Sequence, residues 1–211
     1  MTTVGNRLAR PELRIVAGFV ILGLLAGVAA KAADESGWRW AADLGSYPAA
    51  WVLAVALIGR SAPTLPTAAG RAAAFFAAMT LAYYAWAAWA LGFGWSRLLP
   101  VWLVLSATAV AFFAAVVHWA ARHTGLLPGA VIALAAGTTL AGGAFPGLWS
   151  GLTGGPDPGH PVQGVVDVLV ALLLLAVLPA TPRTRLWAVL LVVPAAVVAG
   201  RLLDVLRAVI G

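Results

Sequence analysis

The sequence predicts an all-α integral membrane bundle of seven transmembrane helices, six if the short second span is re-entrant, with residues 1–211 forming one domain. Three observations predict it. First, 63% of the 211 residues are hydrophobic and 9% are charged, against roughly half and a quarter in a soluble domain. A soluble fold of this size has too much surface to hide that apolar content. Second, the apolar residues fall into runs of span length, separated by Pro, Gly and Arg. Third, the runs lack the alternation of a membrane β-barrel, and backbone groups in lipid must bond within the chain, which leaves the helix.

A span takes about 20 apolar residues, each adding about 1.5 Å along the helix axis. The first predicted span runs from Ile15 to Ala33, behind a short basic N-terminus, residues 1–14. It contains Gly23 and Gly27, a spacing that lets helices pack closely. Its basic start and the Ala30-Lys31-Ala32 stretch also fit a signal peptide, but its length favours a span. The second, Tyr47 to Ile58, is short and extends back toward Ala41 if its outer end is buried. The third runs from Ala69 to Leu91, the fourth from Leu98 to Ala121, and the fifth, rich in Gly and Thr, from Leu126 to Ala144. Residues 145–161, FPGLWSGLTGGPDPGHP, read as the longest loop. The sixth span runs from Val162 to Leu178 and the seventh from Leu186 to Leu206, where Pro194 predicts a kink because it lacks one helical N–H.

Arg and Lys set the orientation. With the N-terminus in the cytoplasm, Arg7, Arg10, Arg14, Arg60, Arg71, Arg122, Arg183 and Arg185 fall inside. Lys31, Arg39, Arg97, Arg201 and Arg207 fall outside, the last two near a helix end. The expected location is the plasma membrane. The thirteen basic residues are scattered between apolar runs rather than forming a stripe, so nucleic acid is not an expected partner. The expected partners are the lipid bilayer and a small-molecule or lipid ligand, with a protein partner or homo-oligomer left open. With no cysteine in the chain, disulfides and thiolate chemistry are excluded. No metal or cofactor is expected: His160 and scattered carboxylates make a poor ligand set. No nucleophile elbow, metalloprotease motif or Walker A loop occurs.

The polar residues carry the functional expectation. The segment KAADESGWRWAADLGSYPAAW, Lys31 to Trp51, holds Lys31, Asp34, Glu35, Arg39 and Asp43 in an otherwise apolar chain. Folding the spans up and down brings Asp34, Glu35, Asp43, Asp167 and Arg201 to one level near the external face. Gln163 shares a helix face with Asp167. Ionisable groups in lipid are costly and normally pair, so Asp167 with Arg201 is the expected ion pair, either locking two spans or lining a pocket. Tyr83 and Trp86 fall with Met79 on one helical face. They serve either an interfacial aromatic belt or a pocket wall for an apolar or cationic ligand. The ligand pocket expected is therefore Asp34, Glu35, Asp43, Tyr83, Trp86, Asp167 and Arg201. His118, Arg122 and His123 read as a solvated cytoplasmic rim, and His160, near Asp157, as a structural or solvated loop residue, with a role at the pocket mouth as the lesser alternative.

The stretches DLGSYPAAWVLAVALIGR, RAAAFFAAMTLAYYAWAAWALG, HPVQGVVDVLVALLLLAVLP and RLWAVLLVVPAAVVAGRLLDVLR together resemble a family of small, uncharacterised multi-pass membrane proteins of actinobacteria. The resemblance spans most of residues 15–208. It implies a helical membrane fold and supplies no activity and no functional residues. The leading expectation is binding or transport of a small or lipid-like molecule. The alternatives are an embedded enzyme acting on a lipid or isoprenoid through carboxylates and aromatics, and a structural subunit of a membrane complex. The pocket discriminates. A closed bundle with every carboxylate paired favours the structural reading, a cavity with an unpaired carboxylate favours the enzyme, and a cavity with pairing complete favours binding.

Overall fold

The computed structural model describes residues 5–155 and 159–210, and all regular structure among them is helical. The side chains of Arg7, Arg10 and Arg207, and the whole of Asp157, lie outside the described residues. Helix α1 spans Gly5–Asp34. Two helices, α2 (Arg39–Ser46) and α3 (Pro48–Ser61), follow, bent 48° from one another at Tyr47–Pro48. Pro48 opens α3 where a missing N–H costs nothing. Helix α4 (Leu65–Ala85) starts on a capping box, in which Thr64 and Thr67 each bond the other's backbone N–H. A π-helical turn, Trp86–Ala90, continues it. Helix α5 (Leu99–Leu105) joins α6 (Ala111–Ala120) through a second π turn, Ser106–Val110.

Helix α7 covers Leu126–Leu140 and α8 covers Ala144–Leu152, bent by 69°. Half of the expected 145–161 loop is therefore helical. Gly143, at a φ of +98°, reverses the chain where other residues are strained, and α8 then packs on α9 (Pro161–Val177), with Leu148 against Gly164. Helix α10 (Pro182–Ile210) contains Pro194.

Four of these segments are long and apolar enough to cross a bilayer: Glu12–Asp34, Leu65–Ala90, Leu99–Ala120 and Pro182–Val205. The count rises to six if each bent pair is one span. Helix α9 has 17 residues, about 25 Å, so the expected seven spans exceed what length and composition alone support.

Helices α3, α6, α7 and α9 enclose the main core, built from Val52, Val117, Ile132, Val170 and Leu174 among alanines. Alanine lets the backbones approach where lipid offers no hydrophobic drive between helices. Helix α1 lies along α4. Gly23 and Gly27 make that contact, since a Cβ on either would overlap the Phe75 or Met79 carbonyl. Helix α10 packs mainly on α7. Outward faces of α1, α9 and α10 carry Ile21, Leu25, Leu169, Leu172, Val193 and Val197, all more than half exposed. Such faces suit lipid rather than water.

At the Arg71 end of the bundle, the guanidinium of Arg71 on α4 grips both carboxylate oxygens of Glu12 on α1, at 2.9 and 2.8 Å. Arg122 donates to the backbone carbonyls of Arg60, Ala62 and His118. His118 corrects the solvated-rim expectation. It is 5% exposed, and its Nδ1 lies 3.1 Å from the Gly59 carbonyl, tying α6 to α3.

Candidate functional site

The opposite end, where α1 stops and α9 begins, gathers the acidic residues. Helix α2 crosses it and packs on both α1 and α9. Under α2 lies a cavity of about 370 Å³. Its walls come from α1 (Ala30, Asp34), the α2–α3 elbow (Gly45, Ser46, Trp51), α4 (Phe76, Met79, Thr80, Tyr83, Tyr84) and α5 with its π turn (Trp102, Leu105, Ser106, Val110).

The cavity has a simple polar layout. The Tyr83 hydroxyl donates to Asp34 Oδ2 at 2.5 Å. The Trp51 indole N–H donates to the Gly45 carbonyl at 2.7 Å, fixing the elbow over the cavity. The Ser106 hydroxyl donates to the Trp102 carbonyl at 2.8 Å and lies 3.4 Å from Thr80 Oγ1. Ser46 and Tyr84 add two further hydroxyls, and the rest of the wall is apolar or aromatic. Beside it, Lys31 Nζ meets Glu35 Oε1 at 2.6 Å and lies over the rings of Tyr83 and Phe93, about 5 Å from each centroid.

Of the seven expected pocket residues, the structure brings two, Asp34 and Tyr83, into this cavity. Glu35 points to Lys31 outside it. Trp86 is 40% exposed and does not line the cavity. Asp43 is buried and turns toward α9, where its Oδ2 lies 2.8 Å from His160 Nδ1; the imidazole in turn stacks at a tilt on Tyr47.

Asp167 and Arg201 do not pair. Asp167 is 0% exposed on α9. Its Oδ1 accepts from Gln163 Nε2 at 2.6 Å, and its backbone carbonyl accepts from Thr139 of α7. Oδ2 of Asp167 and Oε1 of Gln163 have no hydrogen-bond partner. Arg201 is exposed on α10 and lines a separate groove with Asp204, Gly200, Phe145 and Pro146. The reason is the helix order in space: α10 leans on α7, which stands between it and most of α9.

The sequence reading missed Trp51, Trp102 and Ser106, whereas Tyr84, beside Tyr83 in the same aromatic cluster, does line the cavity. Ser106 was the available signal, as one of two hydroxyls, with Thr108, in the apolar run of Leu98–Ala121. A larger, shallower depression of about 510 Å³ lies at the other end, beside Arg60 and Arg122, but Arg122 is committed to backbone carbonyls there. Among the described residues, no three His, Asp or Glu side chains are placed to share a metal ion. Comparison with protein-family models, with curated proteins and with solved structures returned no match.

Proposed function

We propose that this is a seven-span plasma-membrane protein, with a cytoplasmic N-terminus, that binds or transports a small or lipid-like molecule in the cavity under α2. One observation carries the reading: the cavity exists, and its single carboxylate, Asp34, is already held by Tyr83. Among the buried side chains described, the carboxyl oxygen without a partner is on Asp167, outside the cavity. An embedded enzyme needs a poised acid or base facing its substrate, and a structural subunit needs no cavity. The size lies within the usual range of small-molecule sites. Counting α9 as a span makes seven and puts the cavity at the external face, opposite the Arg-rich end.

The test is native mass spectrometry of the protein purified in mild detergent, beside two variants that fill the cavity, Thr80→Phe and Leu105→Phe. A co-purifying molecule in the wild type, absent from both variants at equal yield and helix content, is the expected result. Equal occupancy in all three proteins refutes the assignment of the cavity.

A further inference from the structure

The cavity under α2 also constrains what it binds. We infer that its occupant is a single-chain amphiphile with a positively charged head group, seated against Asp34 and reached from the bilayer between α3 and α5. This deepens the binding function proposed above and rests on it.

The charge inventory comes first. Asp34 is the one charged residue in the wall. The nearest cation, Lys31, is bound to Glu35 at 2.6 Å, so the two cancel. Arg39 is turned away and donates to the Gly159 carbonyl. The mouth of the cavity thus carries one carboxylate, hydrogen-bonded to Tyr83 and with no cation in the wall beside it.

The donors come second. An anionic or sugar-like head group needs hydrogen-bond donors or a cation from the wall. The Tyr83 hydroxyl is given to Asp34, the Trp51 N–H to Gly45 and the Ser106 hydroxyl to Trp102. Ser46, Tyr84 and Trp102 add further hydroxyl and N–H groups to the wall, but no cation faces it, so what sets the mouth apart is Asp34 among the aromatic faces of Trp51, Tyr83, Tyr84 and Trp102. A carboxylate surrounded by aromatic rings is complementary to an ammonium group, above all one that lacks N–H donors of its own.

The shape comes third. Helix α6 packs on α3, but α5, the outer half of the same span, packs only on α4 and its own π turn. The span therefore parts from α3 beyond Ser106–Val110, and the cavity occupies the wedge. Phe76 and Val110 form its inner end, and Gly45 and Ser46 its outer cover. Helix α5 belongs to a segment long and apolar enough to cross a bilayer, as does α3 when counted with α2, so the inferred route between them leads to lipid, where an alkyl chain would lie.

The test uses the full-length protein in nanodiscs of uncharged-headgroup lipid, with isothermal titration calorimetry, corrected for partition into protein-free nanodiscs, as readout. The probes are dodecyltrimethylammonium, dodecyl phosphate, dodecanol and tetramethylammonium. Saturable binding of dodecyltrimethylammonium, weakened about tenfold by Asp34→Asn and lost in Thr80→Phe, is the expected result. Asp34→Glu should retain most of the binding, which separates charge from packing. Tetramethylammonium should bind at least tenfold more weakly; equal binding would assign a soluble cation and overturn the bilayer route. Dodecyl phosphate or dodecanol binding as well as the cation, with no effect of Asp34→Asn, would overturn the head-group assignment while leaving the cavity as a binding site. Binding of any probe that survives both cavity-filling variants would place it outside the cavity and refute the site itself.

Discussion

Replacing Gly27 with Ala adds one methyl group to α1 at its closest approach to α4. The new Cβ would sit 2.9 Å from the Ala82 Cβ and overlap the Met79 carbonyl oxygen. The Met79 oxygen, the nearer of the two, sets the displacement: reaching even a tight carbon–oxygen contact of about 3.0–3.4 Å parts the helices locally by about 1 Å. Forcing an added group into a packed contact costs about 1–3 kcal/mol, and the gain in helix propensity from Gly to Ala offsets about 0.8–1.0 of it. Gly18 supplies the control. It lies on the same helix, and a Cβ there meets nothing within 4 Å. Gly18→Ala gains the propensity alone, so the difference between the two variants isolates the packing at about 1–3 kcal/mol. Reversible unfolding by a denaturing detergent in mixed micelles, followed by circular dichroism, measures it. A second readout follows from geometry: Asp34 lies seven residues beyond Gly27, about 10 Å along the helix, so parting α1 from α4 should also loosen the Asp34–Tyr83 bond and weaken ligand retention. If Gly27→Ala proves as stable as Gly18→Ala, α1 does not lie on α4 as described.

Asp167→Asn and Arg201→Gln should act independently, with a double-mutant cycle of thermal stability additive within about 0.5 kcal/mol; a coupling well above that would restore the ion pair that the structure lacks. Arg71→Lys should lower the melting temperature, because an ammonium cannot reproduce the two parallel bonds to Glu12. An unchanged melting temperature would show that the α1–α4 contact does not use this pair. The chain has no cysteine, so single introduced cysteines report topology cleanly. Ser36→Cys should react with an impermeant thiol reagent in intact cells and Arg183→Cys should not; the opposite pattern would put the cavity on the cytoplasmic side.

What the sequence makes legible is whatever depends on residues close together along the chain. Hydropathy locates the long helices within a few residues, Pro48 marks the elbow, and the Gly23–Gly27 spacing marks a close helix contact. The Gln163–Asp167 bond follows from a four-residue spacing on one helix. What is hidden is which helices become neighbours. Asp167 and Arg201 stand at similar depths in sequence-adjacent spans, yet α7 separates most of one helix from the other. His118 near a helix end reads as solvated, and only the approach of α3 through Gly59 buries it. Trp86 continues the face of Met79 and Tyr83 when counted at 100° per residue, yet it lies outside the cavity that both of them line.

The second π turn, Ser106–Val110, makes the cavity wall a matter of residue number as much as residue type. A π turn closes its hydrogen bonds over five residues rather than four, so it holds one residue more than a regular helix needs there. Deleting a single residue within it, Ala107 for example, would let the α ladder run through and rotate Leu99–Leu105 by about 100° about the helix axis. Trp102 and Leu105 would then face away from α4, although no side chain of the wall had changed. A scan of point substitutions cannot reach that rearrangement, because each preserves the surplus residue. A scan of single deletions reaches it in one step, and its sharpest loss of ligand retention should fall within this five-residue window.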